Sequence, residues 1–174
     1  MRISAIAVAS VLCGSITGAY AQSINDAQIA HIVVTANQVD IDAGKLAASM
    51  ATNADVKKFG AQMVTDHTGV NKQATALATK LKLTPEDNPT SQSLKAGGEK
   101  NIANLKTLKG AAFDKAYIDN EVTYHQAVID ALDKTLIPNA KNDELKALLV
   151  QVRPAFVAHL GHAKKIQASL AKTS

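Results

Sequence analysis

The sequence has little of what many enzymes and recognition modules depend on. It has no tryptophan, aromatic residues make up only 3% of the chain, and there is a single cysteine. Scarce aromatic residues argue against a carbohydrate-binding cleft or a platform on which bases stack. The chain also has no serine or cysteine triad, phosphate-binding loop or dinucleotide fingerprint. These absences favour a binding or structural protein over an enzyme.

Positive charge is present but is not concentrated anywhere. Lys and Arg number 19 against 15 acidic residues, and the lysines are spread along the chain without a dense cluster. Apart from Arg2, the only arginine is Arg153. Nucleic-acid-binding proteins usually carry a basic stripe with arginines for bidentate contacts. The sequence therefore predicts no nucleic-acid partner. It identifies no protein partner and leaves a homodimer open.

Residues 1–21 have the pattern of a cleaved signal peptide. Arg2 supplies the positive start, residues 5–13 form an apolar run, and Ala19-Tyr20-Ala21 forms a small-x-small cleavage site. The apolar run is too short to span a bilayer. We expect a periplasmic or secreted mature chain with no transmembrane segment. Because Cys13 lies inside the signal peptide, that chain has no thiol for a disulfide or a metal.

The spacing of apolar residues predicts helices along nearly all of the mature chain. Apolar positions recur every three or four residues, and the alternating β-branched runs that indicate strands are almost absent. Long helices are predicted over residues 26–52, 54–82, 111–137 and 142–172. The predicted fold class is therefore all-α, with one four-helix bundle domain over residues 22–174.

A long connection separates the second and third of these helices. It covers residues 83–110, whereas bundle connections usually have about two to eight residues. The connection is predicted to hold a short extra helix over residues 90–107, weakened by Gly97 and Gly98. Such a link can run the length of the bundle and make the second and third long helices parallel. This is the one-crossover arrangement of ferritin-like proteins.

Several polar residues lie on helix faces that are otherwise apolar. They are Asp40, His67, Glu121, His125 and His159, and each long helix contributes at least one. Counting residues from the predicted turns places Asp40 level with His67, and Glu121 level with His159. Under the crossover topology both pairs meet in one layer near the middle of the bundle. Since imidazole and carboxylate groups bind transition metals, we predict a site for one divalent ion, such as zinc, iron or copper.

A metal-free interpretation of the same layer stays open. Buried acids and imidazoles also pair with one another, and such a layer fixes how helices pack. Under this alternative the chain has no cofactor and is a structural or interaction module of the cell envelope. The leading hypothesis remains an exported metal-binding bundle with a role in metal handling or envelope stress.

Short stretches of the sequence also carry a family resemblance. They are residues 40–47 (DIDAGKLA), residues 63–67 (MVTDH), Phe113-Asp114 with Tyr117, and His159-Leu160 with Ala163. Together they resemble the exported ferritin-like family called domain-of-unknown-function family 4142, over about residues 25–172. The resemblance implies a secreted or periplasmic helical bundle and no particular activity.

The candidate ligands match the di-iron sites of ferritin-like proteins only in part. Those sites use a lone acid on helices one and three and Glu-x-x-His on helices two and four. Asp40 and Glu121 match the lone acids. Val64 and Phe156, however, stand three residues before the two matching histidines, where the bridging glutamates belong. Ferroxidase or oxygen-activating chemistry is therefore not expected.

Other polar residues near these helix faces are given lesser roles. Tyr117 and Tyr124 are expected to pack near the polar layer and lend it a hydroxyl. His162 is expected to be an exposed residue of the last helix rather than a further ligand. Asp66 and Asp114 are expected to be surface or capping residues.

Overall fold

The regular structure of the chain is helical throughout the part that the computed structural model describes, residues 24–173. The helices are α1 (Asp26–Met50), α2 (Ala54–Lys80), α3 (Pro89–Thr107), α4 (Gly110–Ala131), the short α5 (Ile137–Asn139) and α6 (Asp143–Thr173). The all-α prediction is confirmed. Within residues 24–173 no helix has both the length and the apolar character needed to cross a membrane. The predicted signal peptide lies outside the described residues.

Short polar side chains fix where the helices begin. Asn25, Asn53 and Asn88 cap α1, α2 and α3, and each accepts a hydrogen bond from a backbone N–H of the first turn. The turn between α1 and α2 is also held by Asp114 of α4. Its carboxylate accepts N–H bonds from Thr52 and Asn53 at 3.0 and 2.8 Å. Asp114, expected to be a surface or capping residue, is thus buried and caps this turn.

Contacts between helix ends establish how the helices run. Asp114, near the start of α4, bonds the turn after α1, and Asp26, at the start of α1, accepts an N–H bond from Asn142 before α6. Lys80, at the end of α2, pairs with Glu144 at the start of α6. Hence α1 is antiparallel to α4, α2 is antiparallel to α6, and α2 is parallel to α4. The predicted crossover between α2 and α4 is confirmed.

The crossover is filled by α3, which packs against α1. The helix has 19 residues and matches the predicted range closely. A Cβ built on Gly98 would lie 2.8 Å from a methyl carbon of Val39 on α1, whereas one on Gly97 meets no atom within 4 Å. Gly98 therefore permits close packing of α3 on α1, a role that its helix-weakening effect alone did not indicate.

The third long helix changes its hydrogen-bonding pattern near its end. The α-helical pattern stops at Ala131, and a π-helical turn, Leu132–Leu136, joins α4 to α5. Pro138 follows in α5 and has no N–H to donate. The helix predicted over residues 111–137 is therefore confirmed in its extent, and residues 132–136 form a π-helical turn rather than α-helix.

Two apolar clusters fill the bundle, and a polar layer separates them. One cluster includes Ile29, Leu132 and Leu149, and the other, nearer the turn between α1 and α2, includes Phe59 and Phe113. The polar layer consists of the buried residues Asn37, Asp40, His67, Glu121, His125 and His159. All five predicted ligands thus lie together at mid-bundle.

Candidate metal centre

Three imidazole rings meet at the centre of the polar layer, one each from α2, α4 and α6. One nitrogen from each of His67, His125 and His159 lies within 4.8 Å of the others. The ring centroids are 5.3 to 5.6 Å apart. Each ring lies on the inward face of its helix and is buried. The three helices therefore bring three potential ligands to one point.

Two of these rings have one nitrogen fixed by a carbonyl oxygen. His67 Nδ1 lies 2.7 Å from Oδ1 of Asn37, and His125 Nδ1 lies 3.0 Å from the main-chain oxygen of Glu121. The Asn37 amide is itself oriented, because its Nδ2 donates to the carbonyl oxygen of Val33 at 2.8 Å. Since a carbonyl oxygen only accepts hydrogen bonds, both Nδ1 atoms carry a proton and donate it.

His159 is oriented from the outer side by Asp66. Its Nε2 donates to a carboxylate oxygen of this half-exposed residue at 2.9 Å. Burial lowers the pKa of His159, and the bond to Asp66 opposes that effect. The remaining nitrogens, Nε2 of His67 and His125 and Nδ1 of His159, have no aligned hydrogen-bond partner among the described residues. In its neutral form each ring therefore offers one nitrogen lone pair.

Asp40 is the carboxylate nearest to these nitrogens. Its Oδ2 lies 2.7 Å from Nε2 of His67 and 3.5 Å from Nε2 of His125. The two atoms of the shorter contact are not aligned as a hydrogen bond. Within residues 24–173, neither Oδ2 of Asp40 nor Nε2 of His67 has an aligned hydrogen-bond partner. One oxygen of Asp40, one of Glu121 and a nitrogen of His125 also lie within 4.8 Å of one another. The acids and the imidazoles form one continuous cluster.

Burial affects the two carboxyl groups differently. Burial alone raises the pKa of Asp40, but its contacts with His67 and His125 outweigh this and hold the pKa below its usual value. Burial raises the pKa of Glu121 well above its usual value, and the charge of Asp40 raises it further. Glu121 therefore keeps its proton to a higher pH than Asp40 does.

Two tyrosines lie beside the layer, as predicted. Tyr124 meets the ring of His125 edge to face, but its hydroxyl donates to the main-chain oxygen of Ala36 at 2.8 Å. The Tyr124 hydroxyl is therefore bonded to the main chain and not to a side chain of the polar layer. Tyr117 is buried beside Glu121, and burial raises the pKa of Tyr117 well above its usual value. Both tyrosines remain neutral hydroxyl groups.

Two further histidines lie apart from the cluster. His162 is half-buried rather than exposed, and its ring meets that of Phe59 edge to face with centroids 5.2 Å apart. His31 lies near the start of α3, with Nδ1 2.9 Å from the hydroxyl of Ser91. Neither belongs to a group of potential ligands in the described part of the chain.

Comparison with known proteins identifies the family of this chain. A family model described as Domain of unknown function (DUF4142) matches residues 13–166. The chain belongs to this family. No curated protein and no solved structure matches the chain. The DUF4142 match includes every residue of the polar layer, so the candidate site lies within the family's own domain.

Two residues of this DUF4142 protein, Asn37 and Asp66, orient imidazoles but were not predicted from the sequence. Asn37 lies three residues before Asp40 on the same helix face, so the test that identified Asp40 also applies to Asn37. Asp66 precedes His67 directly and lies off the apolar face, where a surface residue is the ordinary interpretation. Its bond to His159 depends on how α2 and α6 are rotated.

Proposed function

We propose that this DUF4142 protein binds one divalent transition-metal ion in the polar layer and acts in metal handling or stress protection in the cell envelope. The ligands are His67, His125, His159 and Asp40, and Glu121 is the fifth candidate. The proposal is carried by the three imidazoles, which each have one nitrogen bonded to an oxygen and one without an aligned hydrogen-bond partner among the described residues. Metal-binding histidines have this arrangement because the outer hydrogen bond fixes both tautomer and ring orientation.

The donor set fits a single ion. Three imidazole nitrogens and a carboxylate oxygen suit zinc, copper or iron. Four ligands at about 2.0–2.1 Å from a tetrahedral zinc ion are about 3.3 Å from one another. One nitrogen from each ring already lies within 4.8 Å of the others, and Oδ2 of Asp40 lies 2.7 Å from Nε2 of His67 and 3.5 Å from Nε2 of His125. The set would close on an ion by drawing these groups together. The negative charge of Asp40 offsets part of the charge of the ion.

Phe156 argues against a second ion. It occupies the position on α6 where a di-iron site has a bridging glutamate. Its ring centroid lies 5.2 Å from that of His67 and 6.2 Å from that of His125. An apolar ring at this place supplies no ligand and occupies the space beside the imidazoles. The proposal is therefore a site for one ion without di-iron oxidase chemistry.

One contact favours the metal-free alternative. Nε2 of His67 lies only 2.7 Å from Oδ2 of Asp40, which is the distance of a charge-assisted pair. If His67 is protonated there, the layer is a buried ion pair that fixes helix packing. The protein is then a structural or interaction module of the envelope.

Elemental analysis separates these two functions. We expect about one metal ion per chain in protein purified without chelators, and background metal in His67→Ala and His159→Ala. His31→Ala is the matched control, because His31 lies outside the polar layer, and it should retain the ion. Background metal in the wild type, with no rise in melting temperature on adding zinc, copper or iron, would sink the metal-binding proposal.

The proposal includes export through the signal peptide. It is supported by the positive residue, apolar run and cleavage pattern of residues 1–21. Protein recovered from the periplasm should begin at Gln22 when its amino terminus is sequenced. Recovery of the chain only from the cytoplasm, still beginning at Met1, would exclude a role in the envelope.

A further inference from the structure

Two openings approach the polar layer, and their walls differ in chemistry. One is a cavity of about 250 Å³ with mostly aliphatic walls, which reaches the layer at Asn37 and Phe156. The other is a cleft of about 420 Å³ between α2 and α6, which reaches His67 and His159 and has Asp66 on its wall. A hydrated cation is costly to place among aliphatic side chains. The cleft is therefore the better route for an ion.

We infer that the metal ion enters and leaves through this α2–α6 cleft, lined by Asp66, Gly69, Gln73 and His159 among others, and that Asp66 captures it first. The inference rests on the proposed metal-binding function. It assigns Asp66 a role in the uptake and release of the ion. It also makes the bound ion an exchangeable cargo rather than a permanently enclosed structural ion.

Side-chain exposure falls step by step from the cleft to the layer. It is 41% for Asp66, 6% for His159, 2% for His67 and 0% for Asp40. Each residue is also close to the next: Asp66 bonds His159, the rings of His159 and His67 have centroids 5.3 Å apart, and His67 lies 2.7 Å from Asp40. An ion can therefore exchange its waters for protein ligands one at a time.

Asp66 affects uptake in two ways. Its half-exposed carboxylate is the first negative charge along the path, and such a charge at a cleft raises the association rate of a cation. It also accepts the Nε2 proton of His159, which leaves Nδ1 of that ring free to bind the ion. Gln62 holds the carboxylate in place, because its Nε2 donates to Oδ2 of Asp66 at 3.2 Å.

Gly69 offers a way to fill the cleft without changing a ligand. It lines the cleft, and a Cβ built on it meets no atom within 4 Å. Gly161 on α6 is equally free of neighbours but does not line the cleft. Leucine favours the helix at both positions. Gly69→Leu and Gly161→Leu therefore differ mainly in whether the cleft is filled.

The experiment measures the rate of Co²⁺ uptake by stopped-flow absorbance and the equilibrium affinity of the same samples. Gly69→Leu should take up Co²⁺ about tenfold more slowly, with affinity within about twofold of wild type, because uptake and release are slowed together. Gly161→Leu should match the wild type. Asp66→Asn keeps an acceptor for His159 but loses the charge, so uptake should slow about three- to tenfold at low salt and less at high salt.

Glu99→Gln is the charge control for Asp66→Asn, because Glu99 is exposed on α3 and lies outside the cleft. It should leave the uptake rate unchanged. Wild-type rates in both Gly69→Leu and Asp66→Asn overturn the inference and leave the proposed function standing. If Gly69→Leu does not fold, Asp66→Asn decides, and an unchanged rate and salt dependence overturns the inference. A wild-type protein that takes up no Co²⁺ overturns the proposed function and this inference together.

Discussion

On the α1–α4 side of the polar layer lie Asp40, Glu121 and His125, all fully buried; on the α2–α6 side lie His67 and His159, which border a cleft. α3 packs on α1 and α4 and so shields the acidic side. The described helices provide no comparable cover over the α2–α6 cleft. The comparison shows that the bundle places its buried acids beneath α3 and places two buried imidazoles beside a cleft.

The largest effect is expected on the closed side. Asp40→Ala removes the anion that His67 and His125 contact, so the free energy of unfolding of the metal-free protein should fall by about 3–5 kcal/mol. Urea unfolding at pH 7 measures this change. Asp42→Ala, an exposed position on the same helix, should change the free energy by no more than about 0.5 kcal/mol. If Asp40→Ala and Asp42→Ala lost similar free energies of unfolding, the buried carboxylate would stabilise the fold no more than an exposed one.

A smaller effect is expected when the support of one imidazole is removed. Asn37→Leu leaves Nδ1 of His67 without its acceptor, which should cost about 1–3 kcal/mol of stability. Affinity for a metal ion should fall about 10- to 100-fold, measured by competition with a chelator. Asn71→Leu is the control, because Asn71 bonds the main chain of Val34 and no ring. Equal affinities of Asn37→Leu and wild type would show that this hydrogen bond does not prepare His67 for an ion.

The protonated state of Glu121 gives a pH-dependent prediction. The raised pKa of Glu121 means that the folded metal-free protein holds this proton where the unfolded chain loses it. Its contribution to stability is present at low pH and is lost as pH rises from about 4.5 through the raised pKa. The free energy of unfolding of Glu121→Gln should be within about 1 kcal/mol of the wild-type value in acid. As pH rises, the variant should become more stable relative to wild type. Parallel stability curves would contradict a protonated Glu121.

The smallest effect on stability is expected at the open side. Asp66→Asn keeps an acceptor for His159, and the carboxylate that it replaces is half-exposed. The free energy of unfolding should therefore change by less than about 1 kcal/mol. Urea unfolding of Asp66→Asn and Asp40→Asn tests this order, because Asp40→Asn should lose more free energy of unfolding. The reverse order would mean that the open side stabilises the layer more than the closed side does.

The layer was predictable because helices repeat regularly. Residues such as Asp40 and His159 interrupt apolar stripes, and a constant rise per residue relates their heights once the turns are known. Topology then followed from one long connection, residues 83–110. The polar layer and the topology could be predicted because both depend on the spacing of residues along the chain.

The details that orient each imidazole were not predictable in the same way. Whether Asp66 reaches His159 depends on the rotation of two helices about their axes and on side-chain rotamers. The close approach of Gly98 to Val39 likewise reflects packing between segments that are distant in the sequence. Periodicity cannot report such contacts, because it describes one helix at a time.

The buried Asp114 has a consequence for the order in which the chain assembles. The hairpin of α1 and α2 is made of neighbouring segments, yet its turn is completed by a carboxylate 62 residues beyond Thr52. A chain that emerges from its amino end forms this hairpin before the carboxylate exists to close it. The turn between α1 and α2 is thus among the first structures to appear and among the last to be secured.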